Sequence, residues 1–93
     1  MNEKELVRDF LTHCQSSLAE LDEVNLDFKK IEFMAHQIKG TSGVFGLQSI
    51  VEAAIETERQ LKEKNVEGIR SALNTLKQLV TVKRDQVGSD EAN

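Results

Sequence analysis

Apolar residues recur at three- and four-residue spacing along almost the whole of this chain, and no proline interrupts them. Leu6, Val7, Phe10, Leu11, Cys14, Leu18 and Leu21 form the first stripe. Phe28, Ile31, Met34, Ala35 and Ile38 form the second, and Leu47, Ile50, Val51, Ala54, Ile55 and Leu61 the third. Val66, Ile69, Ala72, Leu73, Leu76, Leu79 and Val80 form the fourth. This spacing is the period of an α-helix; a strand would alternate. An apolar stripe on one helix must be covered by another element. Four stripes with short polar connections therefore predict an all-α fold, an antiparallel up-and-down four-helix bundle.

Local signals set the boundaries. Asn2 and Glu5 have capping-box form, opening a helix from about Asn2 to Leu21. Asp22 to Asp27 is a polar connection, with Asn25 or Asp27 as the next N-cap. The second helix ends between Gly40 and Gly46. The third begins near Leu47, where Ser49 and Glu52 have capping-box spacing, and Asn65 marks the next break and cap. Lys83 and Arg84 suit the C-terminal end of the fourth. Residues 88–93 read as a disordered polar tail, leaving 1–87 as the domain. The 93 residues suffice for one small domain and not for two.

Charge and composition exclude several classes. A net charge of −4 with no basic stripe argues against nucleic acid as a partner. No apolar run approaches the roughly 20 residues of a membrane span. The polar N-terminus shows no secretory signal, and the single Cys14 cannot form an internal disulfide, so a cytoplasmic setting is expected. Cys14 lies on the first stripe and reads as a small core residue. No glycine-rich loop followed by Lys-Ser/Thr is present, so no nucleotide site is expected. His13 lies off its stripe and reads as an ordinary exposed histidine. It shares no ligand set with His36, so no metal site is expected.

The second helix carries the chemistry. At about 100° per residue, its inward side chains centre near Ile31 and Ile38, and His36 points about 100° or more away from them. Gly40 and Gly43 fall on the histidine side, Lys29 stands two turns before it, and Lys39 lies between core and solvent. Glycine inside a helix costs about 1 kcal/mol relative to alanine. Two explanations fit: clearance above the ring for a phosphoryl group and an approaching protein, or Gly40 as a C-terminal cap. Gly46 suits the turn to the third helix. Phe33 also projects to the histidine side, as a docking contact or as a side chain covered by the first helix or the N-terminus.

Glu58 falls on the inward seam of the third helix, where a carboxylate needs a partner. His36 stands ten residues before Gly46 and Glu58 twelve after it, so in an antiparallel hairpin both lie about 15–18 Å from the turn. Glu58 can then accept a hydrogen bond from one ring nitrogen of His36, fixing the tautomer and leaving the other nitrogen as nucleophile. The alternative is a boundary carboxylate that pairs with a lysine or faces solvent.

The run Ala35-His36-Gln37-Ile38-Lys39-Gly40-Thr41-Ser42-Gly43-Val44-Phe45-Gly46 resembles the phosphoacceptor motif of histidine phosphotransfer (HPt) domains, matching at Ala35, His36, Ile38, Lys39, Gly40, Ser42 and Gly46. Gly43 and Phe45 are also similar to the phosphoacceptor domain of chemotaxis histidine kinases, although the chain is short for that type. Members of the family often place a glutamate or glutamine 22 residues after the histidine, where Glu58 stands. The resemblance implies a phosphorelay carrier in two-component signalling. His36 would accept phosphoryl from a receiver-domain aspartate and pass it to another receiver, Lys39 would offset phosphoryl charge, and Glu58 would orient the ring. It implies docking through Phe33, Gln37, Gly40 and Gly43. Response-regulator receiver domains, and a hybrid sensor histidine kinase that can be membrane-anchored, are the implied partners. Mg²⁺ would sit on the receiver, with no cofactor in this chain, no autonomous kinase activity and a monomeric state. The contrasting expectation is a binding-only helical adaptor that docks a signalling partner without carrying phosphate.

Overall fold

The computed structural model describes the backbone of residues 2–92 and the side chains of residues 2–87. It contains four helices: α1 (Glu3–Ala19), α2 (Phe28–Val44), α3 (Gln48–Glu63) and α4 (Val66–Ala92). α2 packs on α3, α3 on α4, and α4 on α1. The α1–α4 pairing is antiparallel, because partners run in opposite order. Arg84 Nε donates to Thr12 Oγ1 at 3.0 Å, Gln15 Nε2 donates to Thr81 Oγ1 at 3.2 Å, and Lys77 Nζ meets Glu23 Oε1 at 2.8 Å. The short turns at 45–47 and 64–65 make α2–α3 and α3–α4 antiparallel hairpins. The four-helix bundle expected from the stripes is the fold.

The caps follow from side-chain chemistry. Asn2 Oδ1 accepts from the Glu5 N–H at 2.9 Å, and Asp27 Oδ1 from the Lys30 N–H at 3.2 Å. Asp27, not Asn25, is therefore the second N-cap. Asp22 instead ties its own turn, accepting from the N–H groups of Val24 and Asn25. Asn65 Oδ1 accepts from the Gly68 N–H, while Lys64 takes the left-handed conformation that ends α3. The expected capping box at Ser49 and Glu52 is not formed. The N-cap is Leu47, without a side-chain cap bond, and Ser49 already lies inside the helix.

The core is built from one face of each helix, with Leu11, Leu18, Ile31, Ile50, Ile69, Leu76 and Val80 fully buried. Burying such a side chain contributes roughly 1.5–3 kcal/mol. Several stripe residues are displaced from the expected core. Leu6, Ile55 and Val66 are exposed, while Thr57 is fully buried. On α3 the inward row is Ile50, Ala53, Ala54, Thr57 and Leu61, so Ile55 lies a full residue's rotation off it. Thr57 tolerates burial because its hydroxyl donates to the Ala53 carbonyl at 2.9 Å. Burial pushes the Cys14 thiol up to about 12, as expected of a core residue and not of a nucleophile. α1 ends at Ala19, with Leu21 buried in the connection that follows. α4 passes Arg84 and the expected boundary at residue 87 and continues to Ala92; Asn93 lies outside the described residues.

Candidate functional site

His36, Lys39, Gly40 and Gly43 all lie within α2, which runs to Val44 with Phe45 as its C-cap. Gly40 is therefore not a C-cap. A Cβ built at Gly40 or at Gly43 would meet nothing within 4 Å, so both glycines open space beside the histidine face. Gly46 is different. Its φ is +70°, the left-handed region that favours glycine. Its N–H donates to the Gly43 carbonyl at 3.2 Å, and the Leu47 N–H donates to the Ser42 carbonyl at 2.9 Å. That bond pair is a Schellman motif, and it closes α2 and aims the chain into α3.

The turn sets the register that joins the site. Glu58 arrives opposite His36 and Lys39, as the count from Gly46 predicts. Its Oε1 lies 2.8 Å from Lys39 Nζ, and its Oε2 lies 3.6 Å from His36 Nδ1. The carboxylate thus pairs with a lysine, one of the two alternatives, and stands close to the ring nitrogen without the expected hydrogen bond. The lysine contact is direct, whereas the histidine contact is longer than a hydrogen bond. Exposure is graded across the three. The His36 side chain is 72% exposed, Lys39 34% and Glu58 22%. Nδ1 faces the Glu58 carboxylate, and Nε2 lies on the other side of the ring.

Beside this triad the bundle is open. α1 and α2 are not among its closely packed pairs, and a groove of about 550 Å³ lies between them. His36, Gln37, Gly40 and Thr41 line it from α2, and Phe10, His13, Cys14 and Ser17 from α1. Phe10 also packs against Phe45, their ring centroids 5.8 Å apart. Phe33 is 65% exposed, so α1 does not cover it, and Val44 is 82% exposed. Of the residues expected to dock a partner, Gln37 and Gly40 line the groove, whereas Phe33 and Gly43 lie outside its lining. His13, exposed as expected, and Val44 also line the groove, which the sequence reading did not foresee. Val44 stands eight residues after His36, on the same helix face, a signal that becomes usable once the helix is known to run through Gly40.

Among the described residues no group of three His, Cys, Asp or Glu side chains could hold a metal ion, and no helix is long and apolar enough to cross a membrane. An exposed imidazole with its inner nitrogen facing a carboxylate, a lysine one turn away and open space above can act as a nucleophile toward an anionic group carried by another protein.

Comparison with known proteins agrees with that geometry. The family model of the Hpt domain matches residues 5–86. Histidine-containing phosphotransfer protein 1 of Arabidopsis thaliana is 34% identical over 58 residues, which are 62% of this chain and 38% of that relative. The chain thus spans less than half of the length of that curated relative. No solved structure matches. The match from residue 5 to residue 86 takes in all of the site and nearly all of the bundle, and the chain belongs to the Hpt domain family.

Proposed function

We propose that this chain is a phosphorelay carrier, accepting phosphoryl on His36 from the aspartate of a receiver domain and passing it to another receiver. The observation that carries the reading is the His36 ring itself, 72% exposed on α2, with Glu58 behind Nδ1 and Lys39 one turn on. Family membership and the similarity to a histidine-containing phosphotransfer protein support it.

In the reaction, Nε2 of neutral His36 attacks the phosphorus of the aspartyl phosphate. The N–P bond forms, the P–O bond breaks, and the electron pair leaves with the carboxylate. Lys39 offsets charge on the phosphoryl oxygens. Glu58 favours the tautomer with its proton on Nδ1 and stabilises the positive charge that develops on the ring. The receiver brings Mg²⁺ and the remaining electrostatics, so this chain has no kinase activity of its own. Docking uses the face of α2 that carries Phe33, Gln37 and Gly40, with α1 across the groove. A hybrid sensor kinase and response regulators, in the cytoplasm, are the partners this chemistry fits, with the chain acting as a monomer.

The test is incubation with a ³²P-labelled receiver domain. Acid-labile, alkali-stable label is expected on the parent chain and none on His36→Gln. Label on His36→Gln would overturn the site assignment. A chain that binds the receiver and takes up no label would be the binding-only adaptor.

A further inference from the structure

The two walls of the groove are held in different ways. α2 joins α3 through the short turn 45–47, α3 joins α4 through 64–65, and each pair packs closely. Among the described residues α1 packs closely on α4 alone, and it reaches α2 only through the longer connection 20–27. A connection of that length leaves the tilt of α1 against α2 unset. α4 supplies what sets it. Arg70, Lys77, Thr81 and Arg84 recur at spacings of seven, four and three residues, which places them on one strip of that helix. Arg84 and Thr81 meet Thr12 and Gln15 of α1. Arg70 donates from Nε to the Glu23 carbonyl at 3.1 Å and from Nη2 to the Val24 carbonyl at 3.4 Å. Lys77 Nζ meets Glu23 Oε1 at 2.8 Å. Thr12 and Gln15 stand roughly 160° round α1 from the groove residues Phe10, His13 and Ser17, so the strip grips the flank of α1 away from the groove.

We infer that Arg70 and Lys77 are positioning residues for receiver docking, holding the α1 wall of the groove in place through the 20–27 connection. This rests on the carrier reading, in which the receiver docks with α1 across the groove. The grip is polar because apolar packing under the connection is incomplete. Leu21, Leu26, Leu73 and the two cations border a cavity of about 60 Å³. Arg70 takes main-chain carbonyls and so fixes the path of the backbone itself, while Glu67 steadies its guanidinium from the same helix at 3.0 Å. The hydrogen bond and charge of Lys77 hold the Glu23 carboxyl below its ordinary value of 4.5, so that pair is ionised at neutral pH. A wall already in place needs no ordering when a partner arrives. A loose wall must be ordered, and that cost falls on association and not on the chemistry at His36.

The test compares the full chain with the double variant of Arg70→Gln and Lys77→Met, and with Lys77→Arg. Spin labels on Ser16→Cys of α1 and Glu32→Cys of α2, both exposed positions, read the distance between the walls. Cys14, buried with its thiol pushed up to about 12, does not compete for the label. Phosphoramidate loads His36 without a partner: the Nε2–P bond forms, the P–N bond of the reagent breaks, and ammonia leaves. The double variant should broaden the distance distribution and raise the KM for a phosphorylated receiver about fivefold, the size of a partly exposed ion pair with its hydrogen bonds. Its kcat and its labelling by phosphoramidate should stay at the parent values. Lys77→Arg keeps the pair and should keep the parent KM. If the double variant unfolds, Lys77→Met alone should show the same changes at smaller size. A folded variant with the parent KM overturns the inference whatever the distance does, and so does a fall in kcat at unchanged KM. A parent chain that takes no label from phosphoramidate or receiver overturns the carrier reading instead, and with it the docking role.

Discussion

α3 carries two clusters in which carboxylates meet cations, and they are built differently. Glu56, Arg59 and Glu63 form one along the helix itself. Arg59 Nη2 lies 2.6 Å from Glu56 and Nη1 lies 3.1 Å from Glu63, at spacings of three and four residues. Gln60 Nε2 completes it by donating to Glu56 at 3.0 Å. Glu58 forms the other by leaving α3 for Lys39 and His36 on α2. The first cluster is closed within one helix, where solvent screens it and its pairs stabilise the helix only slightly. The second spans two helices and leaves one contact short of a hydrogen bond. Ion pairs are common on a helical surface, and the one proposed here to carry chemistry joins two helices and leaves its histidine contact incomplete. The glycines repeat the contrast. Gly46 is held by its φ of +70°, whereas Gly40 sits in ordinary helix with open space where a side chain would be.

The sharpest break between the clusters should appear in transfer rate. Lys39→Ala should slow labelling of His36 by a phosphorylated receiver about tenfold, the worth of one hydrogen bond to a charged group. Arg59→Ala should leave the rate within about twofold and lower stability only slightly. Equal slowing by both, in rapid-quench measurements, would erase the distinction between an open and a closed cluster.

The glycines come next. Gly46→Ala should cost about 1–2 kcal/mol through left-handed strain, read from the denaturant midpoint. Gly40→Ala should instead stabilise the chain by about 0.4–1 kcal/mol, because the added methyl meets no neighbour and the unfolded chain loses freedom. Gly40→Gln should fold well, label normally with phosphoramidate and label slowly from a receiver. Receiver transfer by Gly40→Gln at the parent rate would show that the space beside His36 is not used for docking.

How far the sequence carried the reading differs between residues. The outward phase of His36 and the inward phase of Ile31 and Ile38 follow from helical period alone, so the bundle and the accessible ring were both legible. The level of Glu58 was legible because a tight turn at Gly46 fixes the hairpin register. Which neighbour Glu58 grips was not legible. That choice depends on the rotamers of two long side chains, and both alternatives were open until Lys39 was placed at 2.8 Å. The groove was hidden as well. It exists because α1 packs on α4 more closely than on α2, a property of interhelical spacing that no stripe encodes. His13 is exposed, as its phase on α1 predicts, but its place on the groove wall was not legible. Ile55 and Thr57 exchanged places because a threonine can satisfy its hydroxyl on its own helix and be buried like valine.

The smallest expected effect separates the clusters by acid. Hydrogen bonds from Arg59, then from Gln60, hold the Glu56 carboxyl below its ordinary value of 4.5. In that range the folded chain binds fewer protons than the unfolded one. The stability supplied by ionised Glu56 is thus complete above the ordinary value and lost as pH falls through the lowered one. Glu56→Gln should be slightly less stable than the parent near neutral pH, and the difference should shrink on acidification below 4.5. Denaturant titrations at a series of pH values read this directly. Labelling of His36 in Glu56→Gln should match the parent at neutral pH, because this carboxylate turns its charge along α3 and away from the ring. A variant that lost transfer while keeping the parent's acid profile would place Glu56 in the working cluster.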